Sequence, residues 1–253
     1  MKMYTVSRIA RAMKWLITGT SAQRRRIRQE LARISASAFG DFPISDDYKL
    51  WREDKDFLAN FRRLSPQNVY SEDRKYTLRE FVKFTRYIPG EMAECGCYQG
   101  ASAWFMAATS PETPLYLFDS FAGLSQPQEI DRPLKGDHFE WSQGNLCATE
   151  DKIREVLKEF SNIAIYKGWI PSRFKEVKDK RFRLVHIDVD LYQPTLDSLA
   201  FFYPRLNSGG VFVLDDYGST VCPGAYSAVQ EFMSDKSDYV ILLTTGQGIV
   251  IKQ

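Results

Sequence analysis

The alternation of apolar runs with amphipathic segments predicts an α/β fold for residues 76–253. Five short, mostly apolar runs have the length of buried strands, and apolar side chains recur at helical spacing between them. Strands that alternate with helices build a mostly parallel, doubly wound sheet. The predicted strands are 92–96, 115–119, 162–166, 184–188 and 211–214.

The carboxyl-terminal part of the chain carries a different signal. Residues 239–244 and 248–251 are two further strand-like runs, and the Thr245-Gly246-Gln247 segment between them is typical of a hairpin turn. We therefore expect an antiparallel hairpin at one edge of the sheet. The helices predicted between the strands are 76–87, 101–108, 149–160, 195–203 and 224–233.

The first 75 residues form a separate region in this interpretation, so the predicted domains are 1–75 and 76–253. Residues 1–38 have the pattern of one or two helices, and residues 39–75 are an aromatic-rich cap over the core or a ligand. Residues 1–35 contain nine Lys and Arg but only one acidic residue. Such a basic helical arm is typical either of contact with anionic lipid or an acidic partner, or of a solvated helix packed on a neighbouring subunit.

Composition places the chain among ordinary globular proteins. Of its 253 residues, 44% are hydrophobic and 26% charged, so extensive disorder is not expected. The four cysteines show no paired zinc spacing and indicate buried free thiols in a reducing compartment. The apolar run near residue 15 is too short to span a bilayer and no signal-peptide cleavage pattern follows it. We expect a cytoplasmic homo-oligomer without a nucleic-acid partner, in peripheral contact with the inner membrane face if the arm binds lipid.

Carboxylates cluster where two neighbouring predicted strands end. Asp188 and Asp190 follow one strand, and Asp215 and Asp216 follow the next. Hard oxygen ligands from adjacent strand ends suit Mg²⁺, which can bind a substrate hydroxyl and lower its pKa. The alternative is that these Asp residues cap the helices that follow, which requires no metal.

The first predicted strand runs into a glycine turn, residues 94–100, with the sequence ECGCYQG. A strand, a glycine turn and a helix form the usual ligand cradle at the carboxyl edge of such a sheet. The dinucleotide fingerprint GxGxxG is absent, because Tyr98 stands where the second glycine would approach a pyrophosphate. This argues against NAD, whereas Glu94 at the strand end suits a cationic ligand. A glycine turn alone is also common without any ligand.

Asp119 ends the second predicted strand. An acidic residue at this place accepts hydrogen bonds from ribose hydroxyls in nucleoside-binding sheets, so together with Glu94 it indicates a nucleoside-type cofactor. The alternative is that Asp119 caps the turn at Ser120–Gly123.

Two histidines and two tryptophans each have a functional and a structural interpretation. His186 lies inside an apolar strand and has the position of a satisfied core histidine rather than a catalytic one. His138 lies in the long loop over residues 121–146. It is either a general base or a loop residue without a catalytic role. Trp141 and Trp169 either stack on an adenine or a sugar, or pack in the core.

Five blocks of sequence carry a family resemblance. In order they are PGEMAECGCYQG at 89–100, YLFDSFAGL at 116–124, KGW at 167–169, DVDLY at 188–192 and GGVFVLDDY at 209–217. They resemble the PG-x-x-x-ECG-x-[YW]-x-G, YLFDSFEGLP, KGWF, LDGDLYEST and GGFVIVDDY stretches of the macrocin O-methyltransferase family, which the tylosin and mycinamicin enzymes typify. The resemblance covers residues 76–253 and leaves residues 1–75 unmatched.

The resemblance implies a Rossmann-like class I fold that binds S-adenosylmethionine, and Mg²⁺-dependent methylation of a sugar hydroxyl. Carried over by position, the cofactor-binding residues are Glu94, Gly96, Tyr98, Gly100, Asp119, Ser120 and Trp169. The metal ligands are Asp188, Asp215 and Asp216, with Asp188 also the proton acceptor. Asp190 matches a carboxylate of the family, and we assign it no role beyond supporting the metal ligands.

The sequence departs from the family blocks at three places, Ser125, Val189 and Gln193-Pro194. These departures leave the identity of the methyl acceptor open. A polysaccharide sugar, a lipid-linked glycan and a small natural product all fit. Two rival functions are an NAD-dependent sugar oxidoreductase or epimerase, and a non-catalytic relative that binds a glycan or lipid.

Overall fold

The computed structural model describes residues 14–20, 23, 24, 27, 50–64, 71–133 and 140–253. The chain divides into two compact units, Met1–Leu58 and Ala59–Gln253. In the first unit, residues 14–18 are helical and Leu50–Glu53 form a 3-10 turn. His138, most of the basic arm, and residues 39–49 and 65–70 of the aromatic-rich cap lie outside the described residues. The membrane contact and the homo-oligomer therefore stay predictions.

The second unit is organised around a seven-stranded sheet. Its order is β3-β2-β1-β4-β5-β7-β6, with β1 to β5 parallel to one another and β7 antiparallel to both β5 and β6. The predicted antiparallel hairpin at the edge is therefore confirmed. The strands are β1 Glu91–Cys95, β2 Leu115–Asp119, β3 Ile163–Lys167, β4 Phe182–Ile187, β5 Leu206–Leu214, β6 Val240–Leu242 and β7 Gly248–Ile251.

Helices connect the strands as predicted, with small differences at their ends. Those that the structure describes in full are α1 Lys55–Leu64, α2 Glu72–Phe84, α3 Ala101–Thr109, α4 Glu150–Leu157, α5 Tyr192–Phe202 and α6 Pro223–Met233. The boundary predicted between residues 75 and 76 falls inside α2. Within the described ranges, no helix combines the length and apolarity that crossing a bilayer demands.

The strands form two apolar layers because successive side chains point to opposite faces. On one face, Phe118 and Phe212 pack with Phe202 of α5. On the other face, Leu117 and Val213 pack with side chains of α2, α3 and α4. Every residue of β4 is buried, which is typical of a central parallel strand.

The four cysteines are free thiols, as predicted. Cys95, Cys97 and Cys222 are buried, but Cys147 is exposed. The prediction of a buried thiol was wrong there, because Cys147 lies in the connection before α4 and not in a strand or helix.

The strand order reverses between β1 and β4, which both start connections from the middle of the sheet. At such a switch point the connections leave in opposite directions and open a crevice at the carboxyl ends of the strands. The chemistry-bearing residues of the sequence lie at this edge.

Candidate active site

A cavity of about 960 Å³ opens at the carboxyl ends of β1, β2, β4 and β5. It brings together both groups of residues that the sequence singles out. The predicted residues that line it are Gly96, Tyr98, Asp119, Ser120, Trp169, Asp188 and Asp216. Glu94, Gly100 and Asp215 are not among the described residues of its wall. Trp141 also lines it, and its indole nitrogen donates a hydrogen bond to the carbonyl oxygen of Val221 at 2.8 Å.

The two glycines of the turn after β1 have different roles. Gly96 has a φ of +78°, and a Cβ there would lie 1.8 Å from the carbonyl oxygen of Asp188. The end of β1 can therefore pass this close to the end of β4 only with glycine. Gly100 has a φ of +87° at the start of α3, and a Cβ there would lie 2.9 Å from a side-chain carbon of Ile153. Its direct contact is with α4 and not with the cavity.

Asp119 organises the turns at the ends of β1 and β2, the part of the cavity where the sequence predicts a cofactor and which is called the cofactor side below. Its Oδ2 accepts hydrogen bonds from the backbone N–H groups of Cys97 and Tyr98, at 2.9 and 3.0 Å. Its Oδ1 accepts a third from the N–H of Phe121 at 2.7 Å. The capping role that was the alternative for Asp119 is therefore present, and the carboxylate still lines the cavity. Oδ1 therefore keeps a lone pair for a ligand hydroxyl, whereas both lone pairs of Oδ2 are taken by the protein.

The remaining cofactor-side residues surround the same part of the cavity. Ser120 Oγ donates to the carbonyl oxygen of Gly123 at 2.9 Å and accepts from the N–H of Ala122 at 3.0 Å, which fixes this turn. The Trp169 side chain is 46% exposed in the cavity wall, and Tyr98 stands at a φ of +42°. An exposed indole next to a fixed carboxylate suits a flat aromatic ligand.

Glu94, His186 and Asp215 form a buried chain of polar contacts that joins β1, β4 and the end of β5. His186 Nδ1 lies 2.8 Å from Glu94 Oε1, and Nε2 lies 3.4 Å from Asp215 Oδ1. Burial lowers the pKa of His186, but hydrogen bonds with Asp215 and Glu94 outweigh it and raise the pKa to about 9. Burial also raises the pKa of Glu94. His186 is thus a satisfied core histidine that links the two sides of the site.

Asp215 is held from several directions. Gln247 Nε2 donates to its Oδ1 at 2.7 Å, and an Arg74 guanidinium nitrogen lies 2.7 Å from its Oδ2. Burial alone would raise the pKa of Asp215, but Lys75, His186 and Arg74 together hold it well below its usual range. Asp215 is therefore a charged carboxylate enclosed by protein donors.

The other three carboxylates face the cavity. Lys75 Nζ lies 3.4 Å from Asp188 Oδ2, and the backbone N–H of Asp190 donates to Asp216 Oδ2 at 3.0 Å. Burial and the charge of Asp188 raise the pKa of Asp190 to about 7. Burial and the charges of Asp190 and Asp188 raise the pKa of Asp216 well above its usual range. Asp190 and Asp216 thus lack adequate countercharge.

The donor atoms form two groups. Ligand atoms of His186, Asp188 and Asp215 lie within 4.8 Å of one another, and so do those of Asp190, Asp216 and Cys222. The predicted ligand set of Asp188, Asp215 and Asp216 therefore draws on both groups.

The chemistry of the donor set fits an oxygen-binding divalent cation. Among the described residues, the four Asp carboxylates and Glu94 stand against Arg74, Lys75 and a protonated His186, which lies between Glu94 and Asp215. Full ionisation of all five carboxylates would leave an excess of two negative charges, which one divalent cation neutralises. Hard oxygen ligands with open positions are those that Mg²⁺ prefers.

Sequence reasoning missed three polar residues of the site. Arg74 and Lys75 were included in the cap because the helix was predicted to begin at Tyr76, and Gln247 was interpreted only as part of a turn. The signal for the first two was present, since Glu72 and Asp73 are the acidic residues typical of a first helical turn. No local signal marks Gln247, because its partner Asp215 is far away in the sequence.

Comparisons with known proteins identify the family and the fold. Residues 71–238 match the family model described as Macrocin-O-methyltransferase (TylF). The 8-demethyl-8-(2,3-dimethoxy-alpha-L-rhamnosyl)-tetracenomycin-C 4'-O-methyltransferase of Streptomyces olivaceus is 25% identical over 151 residues, 54% of this chain and 57% of the relative. The mycinamicin III 3''-O-methyltransferase of Micromonospora griseorubida is 24% identical over 157 residues, 57% of this chain and 61% of the relative.

The chain therefore spans only 57% and 61% of the length of these two relatives.

Among solved structures, the calicheamicin methyltransferase CalS11 matches with a TM-score of 0.64 and 18% identity, covering 88% of this chain and 91% of that one. At this identity the likeness shows the fold alone, and it confirms the Rossmann-like class I fold.

Proposed function

Because the chain belongs to the macrocin O-methyltransferase family, we propose that it transfers a methyl group from S-adenosylmethionine to a sugar hydroxyl of a glycan or glycosylated natural product. The observation that carries the proposal is the shared cavity, which has the nucleoside-type residue Asp119 at one side and the carboxylates Asp188 and Asp216 at the other. Relatives named as sugar and natural-product O-methyltransferases support the acceptor class.

The cofactor side of the cavity supports S-adenosylmethionine. Asp119 is the expected acceptor for the ribose hydroxyls, and Ser120 and Trp169 border the adenine. Glu94 Oε2 is a buried oxygen without a hydrogen-bond partner in the described part of the chain, which suits a cationic amino group. In this proposal Gly96, Tyr98 and Gly100 shape the turn around the methionine part. The bound cofactor supplies an activated methyl group.

The acceptor side supports a hydroxyl nucleophile. Asp188 is the proposed proton acceptor, since its carboxylate lines the cavity. Asp188, Asp215 and Asp216 are the proposed holders of Mg²⁺, which when bound supplies a Lewis acid that lowers the pKa of a hydroxyl. Alignment of the reactants in a cavity that excludes water is worth ~7–11 kcal/mol for well-oriented groups.

Replacement of Asp188 by Ala tests the acid–base role. We expect turnover to fall at least ~100-fold, the low end of what general base catalysis contributes. We expect cofactor affinity to stay within about threefold, because Asp188 is on the acceptor side; turnover is followed as S-adenosylhomocysteine release. Asp151→Asn, an exposed carboxylate on α4, is the matched control. Wild-type turnover in Asp188→Ala would remove Asp188 from the mechanism.

Chelation tests the metal. With EDTA present, turnover should fall to the background rate and return when Mg²⁺ is added in excess. Full turnover in EDTA would contradict the metal role and leave methyl transfer itself intact.

A further inference from the structure

Two cations of one helical turn lie at the carboxylates proposed to hold a metal. Arg74 and Lys75 are consecutive residues in the first turn of α2. Arg74 reaches Asp215, and Lys75 Nζ lies 3.4 Å from Asp188 Oδ2. Both cations line the cavity, although Lys75 is a buried residue with only 8% of its surface exposed.

A lysine is buried in this way only with compensation. Desolvation disfavours an ammonium group, so a buried lysine requires carboxylates near it. The Asp188 carboxylate, whose Oδ2 lies 3.4 Å from Lys75 Nζ, supplies this compensation. Lys75 is therefore held charged by the carboxylate cluster that it faces.

The two cations are not equivalent. Arg74 contacts both the carboxylate and the carbonyl oxygen of Asp215, at 2.7 and 3.4 Å, and Asp215 is also held by Gln247. The contact of Lys75 with Asp188 is a single one at 3.4 Å, longer than the usual 2.7–2.9 Å of a charge-assisted hydrogen bond. Lys75 therefore pairs with Asp188, the carboxylate that lines the cavity, whereas Arg74 pairs with Asp215, which does not.

We propose that Lys75 is the resident counter-ion of Asp188, and that a divalent cation binding at Asp188 displaces the Lys75 ammonium group. The inference rests on the proposed function, because it assumes that a cation binds to this carboxylate. A divalent cation at Asp188 and the buried Lys75 ammonium group repel each other, because both lie beside the same carboxylate. Lys75 thus keeps Asp188 in position while the metal is absent and lowers the affinity of the site for the metal.

The test is the affinity for a divalent cation, measured first without and then with S-adenosylmethionine, by calorimetric titration of Mg²⁺ and by the paramagnetic resonance of free Mn²⁺. Lys75→Met and Lys75→Gln remove the charge, and both should bind Mg²⁺ at least tenfold more tightly than wild type. Lys75→Arg keeps the charge and should stay within threefold. Lys83→Met is the matched control, because Lys83 is exposed on the same helix and pairs with Glu80.

Thermal unfolding gives a second readout. Without added cation, Lys75→Met should melt below wild type because Asp188 has lost its partner, and Mg²⁺ should raise its melting temperature more than that of wild type. Lys75→Gln is the milder variant and can still donate a hydrogen bond. It keeps the affinity test valid if Lys75→Met does not fold.

Each outcome decides the inference. Equal or weaker Mg²⁺ binding in Lys75→Gln, beside a wild type that binds Mg²⁺, would overturn the displacement and leave the metal-dependent function standing. A wild type that binds neither Mg²⁺ nor Mn²⁺ in the presence of cofactor would overturn both the displacement and the metal part of the proposed function.

Discussion

At the scale of single residues, the site depends on one close approach between two strand ends. Gly96 allows β1 to pass within contact of the backbone at Asp188, so the cofactor side and the carboxylate side share one cavity. The family blocks predicted this glycine, but only the structure shows that the contact is with Asp188.

Gly96→Ala should lower the free energy of unfolding by at least about 2 kcal/mol, because it adds a backbone clash to the cost of a left-handed conformation. Gly144→Ala is the matched control, since Gly144 has a φ of +84° but a Cβ there would meet its nearest atom only at 4.0 Å. That variant should lose about 1 kcal/mol. Urea unfolding of both variants checks the difference, and equal losses would contradict the close approach.

His186→Phe should cost about 3–5 kcal/mol of stability, because two buried carboxylates, Glu94 and Asp215, lose the group between them. Arg154→Ala removes an exposed pair with Glu150 and should cost no more than about 1 kcal/mol. Both are measured by urea unfolding. If His186→Phe were as stable as wild type, the buried polar contacts of Glu94, His186 and Asp215 would contribute nothing to the free energy of unfolding.

At the scale of elements, the sequence predicted the order of strands and helices but not all of their contacts. The sequence predicted the apolar run Val211–Leu214. The strand β5 begins earlier, at Leu206, which pairs with Phe182 of β4, and the register shifts between this pair and the pair of Leu184 with Val211. Local patterns describe periodicity within one element. They cannot show which distant residue completes a buried polar group.

Gln247 is the clearest example. It lies in the turn between β6 and β7, and it is fully buried because its amide donates to Asp215. The edge hairpin therefore holds the end of β5.

Gln247→Glu should destabilise the protein by at least about 3 kcal/mol, because it replaces a donor by a second buried negative charge. Gln247→Ala removes the same hydrogen bond without adding charge and should cost about 1–3 kcal/mol. Thermal or urea unfolding ranks the two. The reverse ranking would show that Asp215 does not need the Gln247 donor.

At the scale of the whole molecule, the order of the sheet accounts for the place of the site. The reversal between β1 and β4 opens the crevice, and residues from four strand ends meet there. Alternating strands and helices predicted the doubly wound sheet, and the family blocks predicted most of the cavity wall. Arg74 and Lys75 were missed because the helix before the first strand was predicted to begin at Tyr76, whereas it begins at Glu72.

The cofactor preference is a property of the folded chain as a whole. S-adenosylmethionine at 100 times its dissociation constant should stabilise the protein by about 2.7 kcal/mol, whereas NAD should not raise the melting temperature. A melting scan with each ligand checks this. Stabilisation by NAD alone would favour the oxidoreductase alternative.

The most direct test of methyl transfer follows the methyl group itself. The protein is incubated with S-adenosylmethionine that carries an isotopically labelled methyl group and with sugar acceptors of the three candidate kinds, and products are read by mass spectrometry. We predict one labelled methyl group on a sugar hydroxyl, one S-adenosylhomocysteine released for each, and at least ~100-fold less of both products with Asp188→Ala. A protein that binds the cofactor but gives no labelled sugar from polysaccharide, lipid-linked glycan or glycosylated natural product would contradict the account.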